Sequence, residues 1–319
     1  MTHKIKRYGA ALLWAVAAAL TIAACFWLDN YWLRIWTSVL MYVAITQGLN
    51  VIVGFAGYHS FGNAAFFGTG AYGAAMLITA GWPLWAALLG TTAGGALLAL
   101  LLGPPLLRLK GHYFAIATVA LNAALAELIL NVGGWTGGAQ GISLPMSDMS
   151  PIALYRQVYL LMFGGAAAAT LIVFWLSRSR FGYAVRASKD SEDGAKAMGI
   201  NTTAVRVAAW MLSGAVTAYA GGVWAYWINF IEVGSAFDVS LSVKAYIMLL
   251  MGGMGSVVGP ILGAAFFEVL ATLVWSKFGA LHNLMLGVLV CAVVLFVPRG
   301  VIIPMRRYFA RRKSVGRAV

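Results

Sequence analysis

The sequence predicts an all-α, polytopic membrane protein of about ten membrane segments, some of them broken or re-entrant, with both termini cytoplasmic. Three observations predict it. Hydrophobic residues make up 62% of the 319 and charged residues only 10%, against about 45–50% and about 25% in a soluble domain. Long apolar runs recur from end to end. The basic residues gather at alternate ends of those runs. So little charge cannot cover a water-soluble fold of this size, which excludes a compact soluble enzyme, and disorder fails on the same ground. Cys25 and Cys291 both sit in apolar runs, leaving no disulfide framework or zinc cluster.

A helix crossing the bilayer needs about 20 mostly apolar residues. The runs fall at 10–28, 35–53, 62–80, 83–107, 113–131, 158–176, 204–225, 239–253, 260–276 and 284–303. The third is rich in glycine, and the eighth is short and carries Lys244. These two read as broken or re-entrant segments. The first run holds Ile22-Ala23-Ala24-Cys25, which resembles a lipoprotein cleavage box. The apolar run continues to Leu28 and further segments follow, so an uncleaved first helix is expected. Residues 1–319 read as a single transmembrane domain, with 177–203 a hydrophilic loop within it.

Positive charge near span ends stays cytoplasmic. With the N-terminus inside and the spans alternating, 18 of the 22 Lys and Arg residues fall on the inner side. Only Arg34, Arg156, Lys244 and Lys277 do not. The net charge of +13 is therefore a topology signal, and nucleic acid is not an expected partner.

Two loops are long. The outer segment 132–157 begins with the glycine-dense stretch Gly133–Gly141, suited to tight turns. It reads equally as a cap over an external opening or as an ordinary loop. In the inner segment 177–203, Val185 to Met198 suits one short amphipathic helix with Gly199 as its stop. Such a helix can lie on lipid or dock on a protein, and Asp190, Glu192 and Asp193 favour the protein.

Ionisable groups inside spans face the protein interior or a water path. Glu127 shares the fifth segment with Asn122 and Asn131, and Glu127 and Asn131, four apart, share a helix face. Glu268 lies in the ninth segment, nearer its end. Small residues crowd Gly54–Gly73 and Gly252–Gly263, and interrupted segments paired between two halves point to a transport path. Ser60 and Asn63 belong to the first stretch and Ser256 to the second. Both stretches carry Gly-x-x-Ser and Ala-Ala-Phe-Phe (Gly57/Ser60 with Ala64–Phe67, Gly253/Ser256 with Ala264–Phe267), a hint of an internal repeat. No G-x-x-x-x-G-K-[ST], H-E-x-x-H or G-x-S-x-G is present, and the four histidines are scattered. No cofactor or metal is expected on this chain.

Several stretches resemble a known family. They are Leu49–Gly54, Ser60–Tyr72, Ala126–Asn131 with Thr136–Ser143, Ser179–Asn201, Gly252–Pro260 with Gly263, and Val297–Gly300. In order over about 49–300, they resemble permease subunits of bacterial branched-chain amino acid ABC importers, of the LivM type. The resemblance implies an inner-membrane subunit paired with a second permease, two ATPase subunits carrying ATP and Mg, and an extracytoplasmic binding protein. It makes 177–203 the loop that couples to an ATPase. There the family pattern E-A-A-x-x-x-G is met loosely by Asp193-Gly194-Ala195-Lys196-Ala197-Met198-Gly199, with Asp for Glu and Gly for the first Ala. Arg186, Lys189, Asp193, Gly194, Ala195 and Gly199 are the expected coupling residues. Ser60, Asn63, Asn122, Glu127, Asn131 and Ser256 are those expected along the path. Related permeases carry urea, short amides or aromatic acids, so the cargo stays open around a branched-chain amino acid. An ion-coupled secondary transporter using Glu127 and Glu268 is the alternative class.

Overall fold

The computed structural model describes residues 21–275, apart from 24, 26, 28, 110 and 146–148, together with Gly287. The predicted segment 284–303, most of 10–28 and both termini lie outside the described residues, as does the sidedness expected of those termini.

The described residues are mainly helical, and their strands form one two-residue ladder. Helix α1 (Asn30–Leu49) continues without a break into a π-helical turn, Asn50–Phe55. Then come α2 (Asn63–Thr79), α3 (Leu84–Leu106), α4 (His112–Asn131), the short α5 (Gly133–Thr136), α6 (Pro151–Arg178), α7 (Arg180–Asp190), α8 (Glu192–Ala197) and α9 (Thr202–Ile228). The short α10 (Val233–Ala236), α11 (Val239–Gly252) and α12 (Val258–Trp275) follow. Strand β1 (Ile142–Ser143) pairs antiparallel with β2 (Phe230–Ile231). Among the described residues, five stretches are long and apolar enough to cross a membrane: Asn30–Phe55, Leu84–Leu106, His112–Asn131, Pro151–Arg178 and Val233–Gly252. The protein is a polytopic membrane protein.

The helices differ in how much of their surface they bury. Helix α1 is buried almost all round over its second half, as a helix at the centre of a bundle must be. Helix α4 is peripheral. Only Phe114, Thr118, Asn122 and Ile129 are buried, and Tyr113, Ile116 and Leu128 stand on its exposed face. Helices α2, α3 and α9 pack backbone to backbone through small residues. A Cβ on Gly70 would strike the backbone of Ala218, one on Gly221 the carbonyl of Phe67, and one on Gly95 the Ala218 methyl. Large side chains fill the space beside these crossings: Phe66 meets Trp210 edge-on at 5.4 Å, and Trp210 lies 5.8 Å from Phe114.

Helix ends follow from local chemistry. Ser150, Ser179, Ser191 and Asn201 each accept a backbone N–H of the helix they precede. Ser150 with Pro151 starts α6 seven residues before the apolar run at 158. Tyr159 Oη of α6 donates to the Thr21 carbonyl at 2.8 Å, tying α6 to the residues before α1.

Candidate functional site

Helix α2 begins inside the bundle. Ser60, Asn63 and Ala64 are buried, and Asn63 Nδ2 reaches the Ile45 carbonyl at 3.4 Å. Ile45 lies about 15 Å of helix above Phe55. The first N–H groups of a helix lack internal acceptors, and irregular backbone at membrane depth persists only where protein or a water-lined cavity meets it. Here protein side chains meet it. Phe61 N donates to Thr118 Oγ1 of α4 at 3.0 Å, Gly62 N to Ser60 Oγ at 3.2 Å, and Ala64 N to Ser242 Oγ of α11 at 2.8 Å.

Helix α11 is itself short and reaches span length only together with α10. Its 14 residues make about 21 Å of helix, less than the ~30 Å hydrocarbon core. Before it, the chain dips inward from the β1–β2 ladder. Phe237 lies against Gly68 and 6.2 Å from the Tyr72 ring, and its carbonyl accepts Asn122 Nδ2 at 2.8 Å. Asp238 then caps α11 by accepting Ser240 N at 2.8 Å. The starts of α2 and α11 thus meet at the Ala64–Ser242 contact, although α2 itself runs unbroken over Asn63–Thr79, where a broken or re-entrant segment was expected.

A cavity of about 460 Å³, open to the surface, lies between α4 and this inward-dipping segment. Its walls include Asn122, Ala126 and Leu130 of α4, then Ala139, Glu232 and Phe237. The glycine-dense segment is ordered and supplies Ala139. Gly137, Gly138 and Gly141 all take positive φ, and Thr136 Oγ1 donates to the Ile129 carbonyl at 2.7 Å. Of the residues expected along a path, Ser60, Asn63 and Asn122 gather around the start of α2. Glu127 and Asn131 instead bond each other on the exposed face of α4, with Nδ2 3.0 Å from Glu127 Oε1. They stand about 140° around the helix from Asn122 in the case of Glu127.

Ser256 lies elsewhere, in the glycine turn between α11 and α12. Gly253 and Gly255 take positive φ there. Ser256 Oγ donates to the Gly253 carbonyl at 2.8 Å and accepts Gly259 N at 3.1 Å. Asn50 and Gln47 of the central helix hold this turn. Asn50 accepts Gly255 N and donates to the Ser256 carbonyl, each at 2.8 Å, and Gln47 Nε2 donates to the Val257 carbonyl at 2.8 Å. Sequence reading missed both. An amide in an otherwise apolar run at 35–53 was the available signal.

The 177–203 segment forms two helices, α7 and α8, where one was expected over Val185–Met198. Ser191 breaks the run: its φ of −154° is extended, and its hydroxyl caps α8 by accepting Gly194 N at 3.1 Å. Gly199 does end the second helix, at φ +81°, with Ile200 N on the Ala195 carbonyl at 3.0 Å. Because of the break, Arg186 and Asp193 do not share one helical face. Arg186 stacks on the Phe55 ring at 4.5 Å, Lys189 Nζ donates to the Gly54 carbonyl at 2.9 Å, and Ala195 is buried. Asp193, Gly194 and Gly199 are exposed. Arg206 of α9 anchors the pair. It bonds the Ser188 carbonyl at 2.7 Å and Glu192 at 3.1 Å, and lies over Tyr58 at 5.3 Å. Nearby, His59 Nδ1 lies 2.6 Å from Tyr246 Oη. Burial, then the positive fields of His112 and Lys189, hold the His59 imidazole below its usual pKa.

The model of the family described as "Branched-chain amino acid transport system / permease component" matches residues 31–297. The chain belongs to the branched-chain amino acid transport permease family. The permease is 28% identical over 305 residues to the high-affinity branched-chain amino acid transport system permease protein LivM of Salmonella typhimurium (strain LT2), covering 87% of this chain and 71% of that one. It is 28% identical over 333 residues to LivM of Escherichia coli (strain K12), covering 96% and 76%. It is also 30% identical over 240 residues to the autoinducer 2 import system permease protein LsrC of Escherichia coli O9:H4 (strain HS), covering 69% and 66%. No solved structure matches the chain. The permease is thus a non-catalytic transport subunit of an ABC importer and a multi-pass protein of the bacterial inner membrane. Membership implies ATPase and binding-protein partners in general, and it leaves the ion-coupled alternative without support.

Proposed function

We propose that the permease carries branched-chain or related neutral amino acids inward as one of two permease subunits. An extracytoplasmic protein delivers the cargo, and two ATPase subunits, which hold ATP and Mg, drive the cycle from the cytoplasm. This chain itself holds no cofactor or metal. The carrying observation is the meeting of the starts of α2 and α11 inside the bundle, at Ala64 and Ser242, beside an open cavity walled by Asn122. Helix ends placed together within a bundle are a usual setting of a membrane substrate site. On this reading Ser60, Asn63 and Asn122 stand along the path. Glu127 with Asn131 supports its wall, and Ser256 belongs to a cytoplasmic turn held by the central helix.

The topology that fits is ten segments with both termini inside. Lys189, Arg186 and Arg206 converge with Gly54 and Tyr58 at one end of the bundle, and the β1–β2 ladder lies at the other. The basic end is then cytoplasmic, and 177–203 is the coupling loop within a single 1–319 domain. Asp193, Gly194 and Gly199 would meet an ATPase, while Arg186, Lys189 and Ala195 pass the contact inward.

The test is ATP-driven uptake in proteoliposomes holding this permease with the second permease, ATPases and binding protein encoded beside it. Saturable uptake of leucine, isoleucine or valine is expected. The similarity to an autoinducer 2 import permease supports a second cargo reading, so the panel includes autoinducer 2, urea, short amides and aromatic acids. Uptake of one of these with none of the branched-chain amino acids would replace the cargo assignment.

A further inference from the structure

We propose that the cavity beside α4 is a subsite for the ammonium group of an aliphatic amino acid, held between the Asn122 side-chain carbonyl and the Glu232 carboxylate. The inference rests on the transport reading above and adds which end of the cargo the permease itself grips.

Asn122 is 3% exposed, and it forms part of the cavity wall. Its orientation is chemically determined. The Phe237 carbonyl needs a donor, so the amide nitrogen must face it, at 2.8 Å. That leaves Asn122 Oδ1 as a buried acceptor with no protein partner. A buried polar atom left unmatched costs about 1–3 kcal/mol, which a ligand donor would offset. Glu232, an exposed acidic residue, lines the same cavity. The hydroxyl of Tyr72 is buried without a hydrogen-bond partner, and its ring lies 6.2 Å from that of Phe237.

The wall therefore presents acceptors, and among the described residues no basic side chain lines it. Such a set selects a positively charged donor, and an ammonium with three N–H groups suits it. The rest of the wall is apolar, through Ala126, Leu130 and Phe237, which suits an aliphatic side chain. At about 460 Å³ the cavity falls in the usual range for small-molecule sites, about 300–1,000 Å³. No side-chain donor on the wall is free for a carboxylate, since Asn122 Nδ2 is engaged.

Thiol protection tests this without relying on transport. Gly234 lines the cavity and has open space where a Cβ would go. Gly234→Cys is placed in a background with Cys25 and Cys291 replaced by Ala, within the assembled complex of permeases and ATPases. Its labelling by a charged thiol reagent is then followed. Millimolar leucine and 3-methylbutylamine should each slow labelling at least threefold. The carboxylate analogue 4-methylpentanoate and sodium chloride at equal strength should not, and Glu232→Gln should abolish the protection. Protection by 4-methylpentanoate equal to that by the amine, or by sodium chloride alone, overturns the proposal. So does the absence of protection in a complex that still imports leucine with its binding protein, in which case the transport reading stands. Loss of that reading shows separately, as no branched-chain uptake by an intact complex.

Discussion

The Lys189 ammonium donates to the Gly54 carbonyl at 2.9 Å, across 135 positions of sequence. Gly54 lies in the π-helical end of α1. The helix ends at Phe55, so this carbonyl has no following helical N–H, and a cation is favoured at a helix C-terminus. The side chain of Gly57 would collide with Lys189 if it had one, since its Cβ would come within 2.7 Å of Lys189 Cγ. The helix pair α7–α8 therefore grips the central helix directly. That same helix, through Asn50, holds the turn before α12.

Replacing Lys189 by Met should loosen this grip while leaving the bundle folded. The expected loss is about 1 kcal/mol, or roughly fivefold in an equilibrium. It should appear as a several-fold drop in cargo-stimulated ATP hydrolysis at normal membrane level, with Lys189→Arg retaining most of the rate. An unchanged stimulation in Lys189→Met would remove Lys189 from the coupling path.

Asp193 stands exposed on α8, in its first turn. Asp193→Lys should weaken ATPase docking without lowering the melting temperature of the permease. Asp193→Cys should crosslink to an ATPase subunit. Ala195 is a poor probe because it is buried. Crosslinks from another inner loop, with none from position 193, would relocate the contact.

Gly70 allows α2 and α9 to touch backbone to backbone. Gly70→Ala forces them apart and should cost about 1–3 kcal/mol, the usual range for overpacking. Gly94→Ala is the control, because nothing lies within 4 Å of its Cβ position. Thermal melting in detergent should separate the two variants. Equal stability would show that the α2–α9 contact is not as tight as described.

Asn50 matches a donor and an acceptor in the 253–257 turn. Asn50→Asp keeps the acceptor for Gly255 N and loses the donor to Ser256. Asn50→Leu loses both and leaves two part-buried backbone groups unmatched, at about 1 kcal/mol each. The expected order of melting temperature is wild type, then Asn50→Asp, then Asn50→Leu. The reverse order for the two variants would mean that burying the charge outweighs the retained bond.

His59 should make stability pH-dependent. Its folded pKa is lowered from 6.5 by burial, then by His112 and Lys189. The unfolded chain therefore binds the proton more readily. The stability contribution is complete above pH 6.5 and is lost as pH falls from there through the folded value. Melting at pH 7.5 should exceed melting at pH 5.5, and His59→Gln should flatten that part of the slope. An identical slope in the variant would assign the acid sensitivity to other groups.

The membrane class and the positions of the longer helices were legible in the sequence alone. Hydrophobic length and basic flanks act segment by segment, so they can be read without knowing any neighbour. Described helices accordingly fall close to the apolar runs, with α2 at Asn63–Thr79 for 62–80 and α4 at His112–Asn131 for 113–131. Gly199 as a stop was equally legible, because a left-handed residue is a local need. Only the tertiary structure decided which polar groups meet. Ser242 serves Ala64 across 178 positions, and Asn50 serves Ser256 across 206. Asn122 turns inward while Glu127, on the same helix, turns out. Ser191 splits the inner helix, and Arg206 folds the pieces back onto α9. In a bilayer every broken backbone must find its partner within the protein, and those partners lie in helices far apart along the chain, brought together only when the bundle closes.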